Sequence, residues 1–176
     1  MSNNYIQFST AVSITTDEKA WLEKQLDDDV LHDMFCLHNP ENSGLSPEQL
    51  EELRKKILPE PKEMALFDNY AEMGCVCFDV EFSRATDPKD GKDWIMYIGT
   101  EESGDPDQVA ELMGAFLLHF QSKDSFSLEW AYYSSRNRMD EQGGGAVFVT
   151  AGSTQWINTG MWVHRKQLEH EKAQGK

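Results

Sequence analysis

The sequence predicts an α+β fold in which helices cover one face of an antiparallel sheet. Residues 5–14, 75–82 and 125–133 alternate apolar and polar side chains with a period of two, which is typical of half-buried strands. Residues 16–31 and 106–120 carry apolar side chains with the spacing of an amphipathic helix. Because an antiparallel sheet commonly keeps one face on the core, both helices are expected on the same side.

The first half of the chain contains a strand, a helix and an insertion. Thr15 and Glu18 have the spacing of a capping box, which predicts that a helix begins at residue 16. Turn-forming residues precede Pro47, and a proline in the first turn indicates the start of a further helix. We therefore expect a helical insertion at about 39–70.

The second half begins with a hairpin, in which the strand at 75–82 pairs with a strand at 94–99. Asp105 and Pro106 predict the start of the helix at 106–120. Further strands are predicted at 125–133, 146–151 and 154–158. The polar tail from about 162 is expected to be helical or frayed, with fraying from about 165. The order contains the βαββαβ series of a ferredoxin-like unit, with an inserted helix and an extra strand, in a single domain of residues 1–176.

One face of the predicted sheet is apolar and forms the expected core. Its members are Ile6, Phe8, Val76, Phe78, Val80, Phe126, Leu128 and Trp130. The opposite, open face is then expected to carry Cys75, Cys77, Asp79, Glu81 and Glu129. Clustered carboxylates bind hard cations, but side chains two apart on one strand do not converge, so a solvated acidic face is expected.

The number and spacing of the cysteines, together with the short apolar runs, limit which compartment and which cofactors are expected. Three cysteines, no signal-like N-terminus and no run of 18 apolar residues predict a cytoplasmic protein. Cys36, Cys75 and Cys77, with His32 and His38, are enough ligands for zinc by number. Their spacing is not that of structural zinc sites, so we expect no metal and no cofactor, and we assign no catalytic residue.

Negative charge is the strongest compositional feature. The chain carries 31 Asp and Glu against 16 Lys and Arg; residues 1–114 hold 25 acids and 9 bases, and residues 115–176 hold 6 acids and 7 bases. An acidic surface repels nucleic acid and anionic membranes and attracts basic proteins, so we expect no direct binding to nucleic acid or membrane. Many soluble proteins are acidic for solubility alone, which is the simpler interpretation of any single cluster.

The carboxylates expected to meet a basic or nucleic-acid-binding protein fall in three clusters, on the first helix, in the hairpin turn and before the helix at 106–120. They are Asp27, Asp28, Asp29, Asp33, Asp87, Asp90, Asp93, Glu101, Glu102, Asp105 and Asp107. The sequence therefore predicts a non-enzymatic acidic protein-binding module. Its carboxylates would stand in place of phosphates, as in a DNA mimic or an anti-defence inhibitor of a nucleic-acid-handling protein.

The long connection before the strand at 146–151 offers an alternative function. Glycine amides and arginine side chains bind anions, which would suit a small anionic ligand in a binding protein or an enzyme. The candidate residues are Arg136, Arg138, Gly143, Gly144 and Gly145. The glycines lack the spacing of a P-loop or a dinucleotide fingerprint, which favours a flexible hairpin loop.

Aromatic residues cluster late in the chain, where the net charge is close to zero. They are Trp130, Tyr132, Tyr133, Trp156 and Trp162. Core packing accounts for part of this set, and exposed members would suit a protein interface or a homodimer contact.

The segments Ser127–Ala131 (SLEWA) and Gly143–Ala151 (GGGAVFVTA), together with Trp156, resemble a group of uncharacterised bacterial proteins from phage, plasmid and other accessory DNA. The resemblance covers about residues 94–160 and implies no activity or site. It implies a place in mobile-element biology, where small acidic proteins that block host nucleic-acid enzymes are common.

Overall fold

The computed structural model describes residues 4–56, 63–134 and 143–173. The strands are β1 (Asn4–Ile14), β2 (Asp79–Lys89), β3 (Lys92–Thr100), β4 (Phe126–Ser134), β5 (Gly143–Thr150) and β6 (Ser153–Asn158). The helices are α1 (Thr16–Gln25), α2 (Asp28–His38), α3 (Pro47–Lys56), α4 (Phe67–Met73), α5 (Pro106–His119) and α6 (Thr159–Ala173). The strands form one antiparallel sheet in the order β2-β3-β1-β4-β5-β6, which confirms the predicted α+β class.

The capping box before α1 is confirmed, but a single helix over residues 16–31 is wrong. The Thr15 amide donates to Glu18 at 2.7 Å, and the Glu18 amide donates to Thr15 Oγ1 at 3.2 Å. α1 ends at Gln25, and the Asp27 side chain then accepts a 3.1 Å hydrogen bond from the Val30 amide at the start of α2. A short acidic side chain that binds a backbone amide starts a new helix instead of continuing the old one.

The predicted hairpin is present, but its first strand begins later than expected. β2 begins at Asp79, so the predicted start at Cys75 is wrong and both Cys75 and Cys77 precede the strand. Asp90 and Gly91 connect the paired Lys89 and Lys92 and have φ angles of 55° and 76°. Positive φ at both central residues is the mark of the type I′ turn, which matches the twist of the two strands.

The insertion contains one predicted helix and one that the sequence pattern missed. α3 begins at Pro47 as expected, and Ser46 and Gln49 cap it reciprocally. α4 was not predicted because only seven residues form it. It packs with α2 in a second hydrophobic cluster of Leu31, Met34, Met64, Phe67 and Tyr70.

The main core lies between the sheet and the helices α1 and α5. Of the eight predicted core residues, Phe8, Phe78, Phe126 and Leu128 are buried, and Ile6, Val76, Val80 and Trp130 are half-buried against them. Leu22 of α1 and Leu112 of α5 belong to the same cluster, which confirms that both helices pack on one face. Alternation along each strand produces this arrangement, because one-residue shifts would turn the apolar set to solvent.

The C-terminal region forms a helix, which is one of the two states expected for the polar tail. β5 begins at Gly143 instead of Ala146, and α6 begins at Thr159, directly after β6. Every described residue of β6 and of α6 through Lys172 is exposed. Within the three described ranges, no helix is long and apolar enough to cross a membrane.

Candidate acidic binding surface

The predicted partner-binding carboxylates lie at opposite ends of the sheet. Asp87, Asp90 and Asp93 lie at the hairpin turn, whereas the clusters at 27–33 and 101–107 lie near the start of β2. β2 has 11 residues, which at about 3.3 Å per residue puts roughly 30 Å between its two ends. The three clusters therefore do not form one surface.

The clusters at 27–33 and 101–107 both lie beside the segment that leads into β2. Asp28 lines a surface depression together with Phe78 and Asp79. The Asp105 amide donates a 3.1 Å hydrogen bond to the carbonyl oxygen of Cys77. The α2 carboxylates and the carboxylates before α5 are thus neighbours of the same short segment.

Charge is concentrated in the first turns of α5. The Asp105 side chain accepts a 2.9 Å hydrogen bond from the Asp107 amide. Burial, and then the charge of Asp105, raise the pKa of Asp107. Burial also raises the pKa of Glu111; a hydrogen bond from Asn69 opposes this rise, and the charges of Asp68, Asp105 and Asp107 add to it. The charge of Asp105 therefore disfavours the ionised forms of Asp107 and Glu111, and the charge of Asp68 disfavours that of Glu111.

Tyr70 connects the α2 carboxylates to the same region. Burial raises the pKa of Tyr70, and Asp28, Cys36, Cys75 and Asp29 raise it further, in that order. The surface defined by these interactions is called the acidic end below. It comprises Asp28, Asp29, Asp68, Asp105, Asp107 and Glu111.

No carboxylate of the acidic end forms an ion pair with any residue in the described ranges. The ion pairs found there are Lys19–Glu23, Glu51–Arg54, Asp87–Lys89, Lys92–Asp124 and Lys166–Glu169. The hairpin turn, by contrast, mixes both signs, since Lys89 lies 3.9 Å from Asp87. Negative charge is therefore less neutralised at the acidic end than at the hairpin turn.

The remaining predicted carboxylates have different surroundings. Asp27 caps α2, and Asp33 is half-buried beside Cys36, whose pKa is raised by burial and by the Asp33 charge. Glu101 and Glu102 are exposed in the loop after β3. These two side chains are free to contribute charge to a partner, whereas Asp27 also has a structural role.

The open face does not bring its three predicted carboxylates together. Asp79 and Glu81 are on β2 and Glu129 is on β4, with β3 and β1 between them. Three strand spacings of about 4.8 Å make roughly 14 Å, which is too far for shared ligation. No group of three or more His, Cys, Asp or Glu residues in the described part of the chain is arranged to hold a metal ion.

Cys75 and Cys77 lie beside the acidic end, so the prediction that they occupy the open face is wrong. Their Sγ atoms are 3.4 Å apart, and Cys75 is exposed whereas Cys77 is half-buried. Gln108 of α5, which is 1% exposed, accepts from the Cys77 amide at 2.7 Å and donates to the Cys75 carbonyl at 3.2 Å. Nothing in the sequence pattern singled out Gln108, because glutamine in a helix usually faces solvent.

The glycine triplet belongs to β5, so the expected flexible loop is shorter than predicted. Gly143, Gly144 and Gly145 pair with three residues of β4. The Gly144 amide donates to Thr159 Oγ1 at 3.1 Å, and the same hydroxyl donates to the Gly144 carbonyl at 3.0 Å. The Gly144 amide therefore already has a hydrogen-bond partner within the protein instead of an anion. Arg136 and Arg138, the arginines of the alternative anion site, lie outside the described residues.

The open face of the sheet carries several exposed apolar and aromatic side chains. Tyr97, Phe148 and Ile157 are 43%, 45% and 47% exposed. Tyr5 and Tyr133 stack across the β1–β4 pair with ring centroids 5.0 Å apart. Of the predicted aromatic set, Trp156 and Trp162 are 45% and 44% exposed, whereas Trp130 packs against the core. The exposed aromatic side chains would suit an interface.

The chain matches no family model, no curated protein and no solved structure. Its function has therefore to be inferred from the residues and their geometry.

Proposed function

We propose that this protein is a non-enzymatic binding module whose acidic end recognises a basic protein. One observation carries the proposal: carboxylates from α2, α4 and α5 lie together at the acidic end, where burial first and the charges of neighbouring carboxylates second raise the pKa of Asp107 and Glu111. No cation within the described ranges forms an ion pair with them. Lysine or arginine side chains of a partner would relieve this repulsion, so association is favoured by charge complementarity.

The partner that fits this chemistry best is a nucleic-acid-handling protein. Such proteins present Lys and Arg to phosphates, and closely spaced carboxylates offer them the same sign of charge. A DNA mimic or anti-defence inhibitor would act in this way, in keeping with the resemblance to accessory-DNA proteins. We place the protein in the cytoplasm, where such partners are found.

We also infer a ferredoxin-like arrangement for the first four strands. Within the sheet they stand in the order β2-β3-β1-β4, and each neighbouring pair is antiparallel. β5 and β6 extend this sheet at one edge. The arrangement supports the proposal by leaving the acidic end clear of the added strands.

A pull-down followed by kinetics tests the proposed function. The purified protein is used to capture partners from a bacterial lysate freed of nucleic acid, at low and at high salt. The partner is then purified, and its association rate is measured by surface plasmon resonance. Association should slow steeply with salt, because exposed charges are screened over about 10 Å at 0.1 M ionic strength. The partner should also be displaced by duplex DNA or RNA.

Two charge-matched variants locate the binding surface. Asp107→Asn with Glu111→Gln removes two charges from the acidic end, and Asp87→Asn with Asp90→Asn removes two from the hairpin turn. Asparagine tolerates the positive φ of residue 90, so the control should fold. We expect the first variant to slow association about fivefold or more at low salt, and the control to change it little. Equal effects of both variants, or a partner indifferent to salt, would refute the proposal.

A further inference from the structure

We infer that Cys75 and Cys77 form a reversible intramolecular disulfide, so that this pair is a redox modification site. Both are free thiols, and their Sγ atoms are in contact at 3.4 Å. A disulfide bond requires about 2.05 Å between the sulfur atoms. A small approach of two side chains separated by a single residue is therefore enough to form the bond.

The backbone around the pair is already held in place. Gln108 binds both residues, through the Cys77 amide at 2.7 Å and the Cys75 carbonyl at 3.2 Å. The Cys77 carbonyl in turn accepts from the Asp105 amide at 3.1 Å. Gly74, with φ of 74°, turns the chain at the end of α4 just before the pair. The backbone therefore holds the two thiols beside each other.

The two thiols have different roles. Cys75 is exposed and meets an oxidant first, whereas Cys77 is half-buried. Burial and the contact with Cys75 raise the pKa of Cys77 to about 11. Cys77 therefore remains protonated while Cys75 reacts with the oxidant. Cys75 is therefore the attacking residue and Cys77 the resolving residue.

The oxidant that we propose is a small-molecule disulfide of the glutathione class. The Cys75 thiolate attacks one sulfur atom of oxidised glutathione, which forms a mixed disulfide and releases one glutathione thiolate. The released glutathione thiolate accepts the Cys77 proton, and the Cys77 thiolate then attacks the Cys75 sulfur atom and displaces the second glutathione. The protein loses two electrons and two protons, and one oxidised glutathione becomes two reduced molecules.

Intact-mass spectrometry of the full chain tests this inference. The protein is equilibrated in buffers that range from reduced to oxidised glutathione, acid-quenched and alkylated. We expect the oxidised form to lose two hydrogen atoms and two alkylation sites, with both regained on addition of dithiothreitol. A stable glutathione adduct on Cys75, a disulfide between two chains, or an unreacted pair in fully oxidised buffer would overturn the inference.

Three variants distinguish the roles. Cys77→Ser should stop at the mixed disulfide and retain one glutathione on Cys75, and Cys75→Ser should not form the intramolecular bond. Cys36→Ala is the matched control, since Cys36 is 2% exposed and lies in α2, and it should oxidise like the unmodified protein. Loss of the two-hydrogen shift in Cys36→Ala would instead assign the bond to Cys36. The readout is independent of any partner, so it holds or fails separately from the proposed function.

Discussion

The indole ring of Trp130 lies against the backbone of Gly145, its directly opposite residue in the β4–β5 ladder. A Cβ atom at position 145 would come within 2.3 Å of Trp130 Cζ2 and 2.5 Å of the Ile157 carbonyl oxygen. Trp156 meets the same indole ring edge-on, with ring centroids 5.7 Å apart. Position 145 therefore has no room for a side chain. A glycine there allows Trp130 to pack against the β5 backbone and against Trp156.

Gly145→Ala should lower the free energy of unfolding by about 1–3 kcal/mol, because the added methyl group must displace a ring or a strand. Gly152→Ala is the control, since no atom lies within 4 Å of the added Cβ there. Urea denaturation followed by tryptophan fluorescence measures both. Equal stability of the two variants would mean that Trp130 does not pack against Gly145.

Strand alternation and helix caps made most of the fold predictable. Phe8, Phe126 and Leu128 are buried as their period-two spacing requires, and Asp105 caps α5. These signals are local, because a residue's face or cap depends on neighbours only a few positions away. The break between α1 and α2 was also local, but Asp27 lies within an acidic run, which concealed its capping role.

The acidic end could not be predicted as one surface, because its members come from three separate segments of the chain. The predicted partner-binding residues include Asp28, Asp29, Asp105 and Asp107 but not Asp68 or Glu111. α4 was not predicted, so the position of Asp68 in the fold could not be predicted either. Glu111 has the sequence pattern of an ordinary exposed helical residue. Asp68 and Glu111 come close to the other carboxylates because the insertion packs beside α5. Two buried glutamines bind the backbone on either side of α4.

Gln25 binds the backbone just before α4, and Gln108 binds the backbone just after it. Gln25, 1% exposed, donates to the Glu63 carbonyl at 3.2 Å and accepts from the Ala65 amide at 2.7 Å. Gln108 makes the corresponding contacts with Cys75 and Cys77 after the helix. Side chains that satisfy two backbone groups in this way stabilise a connection that lacks regular pairing.

Gln108→Leu should destabilise the protein by about 1–3 kcal/mol for each backbone group left without its partner. The volume is nearly conserved, so the loss measures hydrogen bonding and not a cavity. Gln155→Leu is the control on exposed β6, where we expect a change within about 0.5 kcal/mol. If thermal unfolding shows no difference between the variants, Gln108 does not hold the Cys75–Cys77 segment.

The two faces of the sheet should respond differently to truncation. Leu128 is 1% exposed and faces the helices, whereas Phe148 on the neighbouring strand is 45% exposed on the open face. Leu128→Ala should cost about 2–5 kcal/mol because it leaves a cavity. Phe148→Ala should cost clearly less, although it removes more atoms. Chemical denaturation compares the two, and a larger loss for Phe148→Ala would show that the faces are misassigned.

Glu111→Gln should stabilise the protein at neutral pH. Burial and the neighbouring Asp68, Asp105 and Asp107 raise the pKa of Glu111 in the folded chain, above the ordinary value of about 4.3 in the unfolded chain. Between these two values the folded state binds more protons, so stability falls as pH rises through this window and stays lower above it. Glutamine removes this penalty and keeps an oxygen to accept from Asn69.

The gain from Glu111→Gln should therefore disappear as the pH falls below about 4.3, where Glu111 is protonated in both states. Glu169→Gln is a control of opposite sign, because the hydrogen bond and charge of Lys166 lower the pKa of Glu169. That variant should lose a little stability at neutral pH, and the loss should vanish in acid. Melting temperatures of both variants between about pH 2.5 and pH 8 test the pair. A gain for Glu111→Gln that is independent of pH would show that the pKa of Glu111 is not raised in the folded protein.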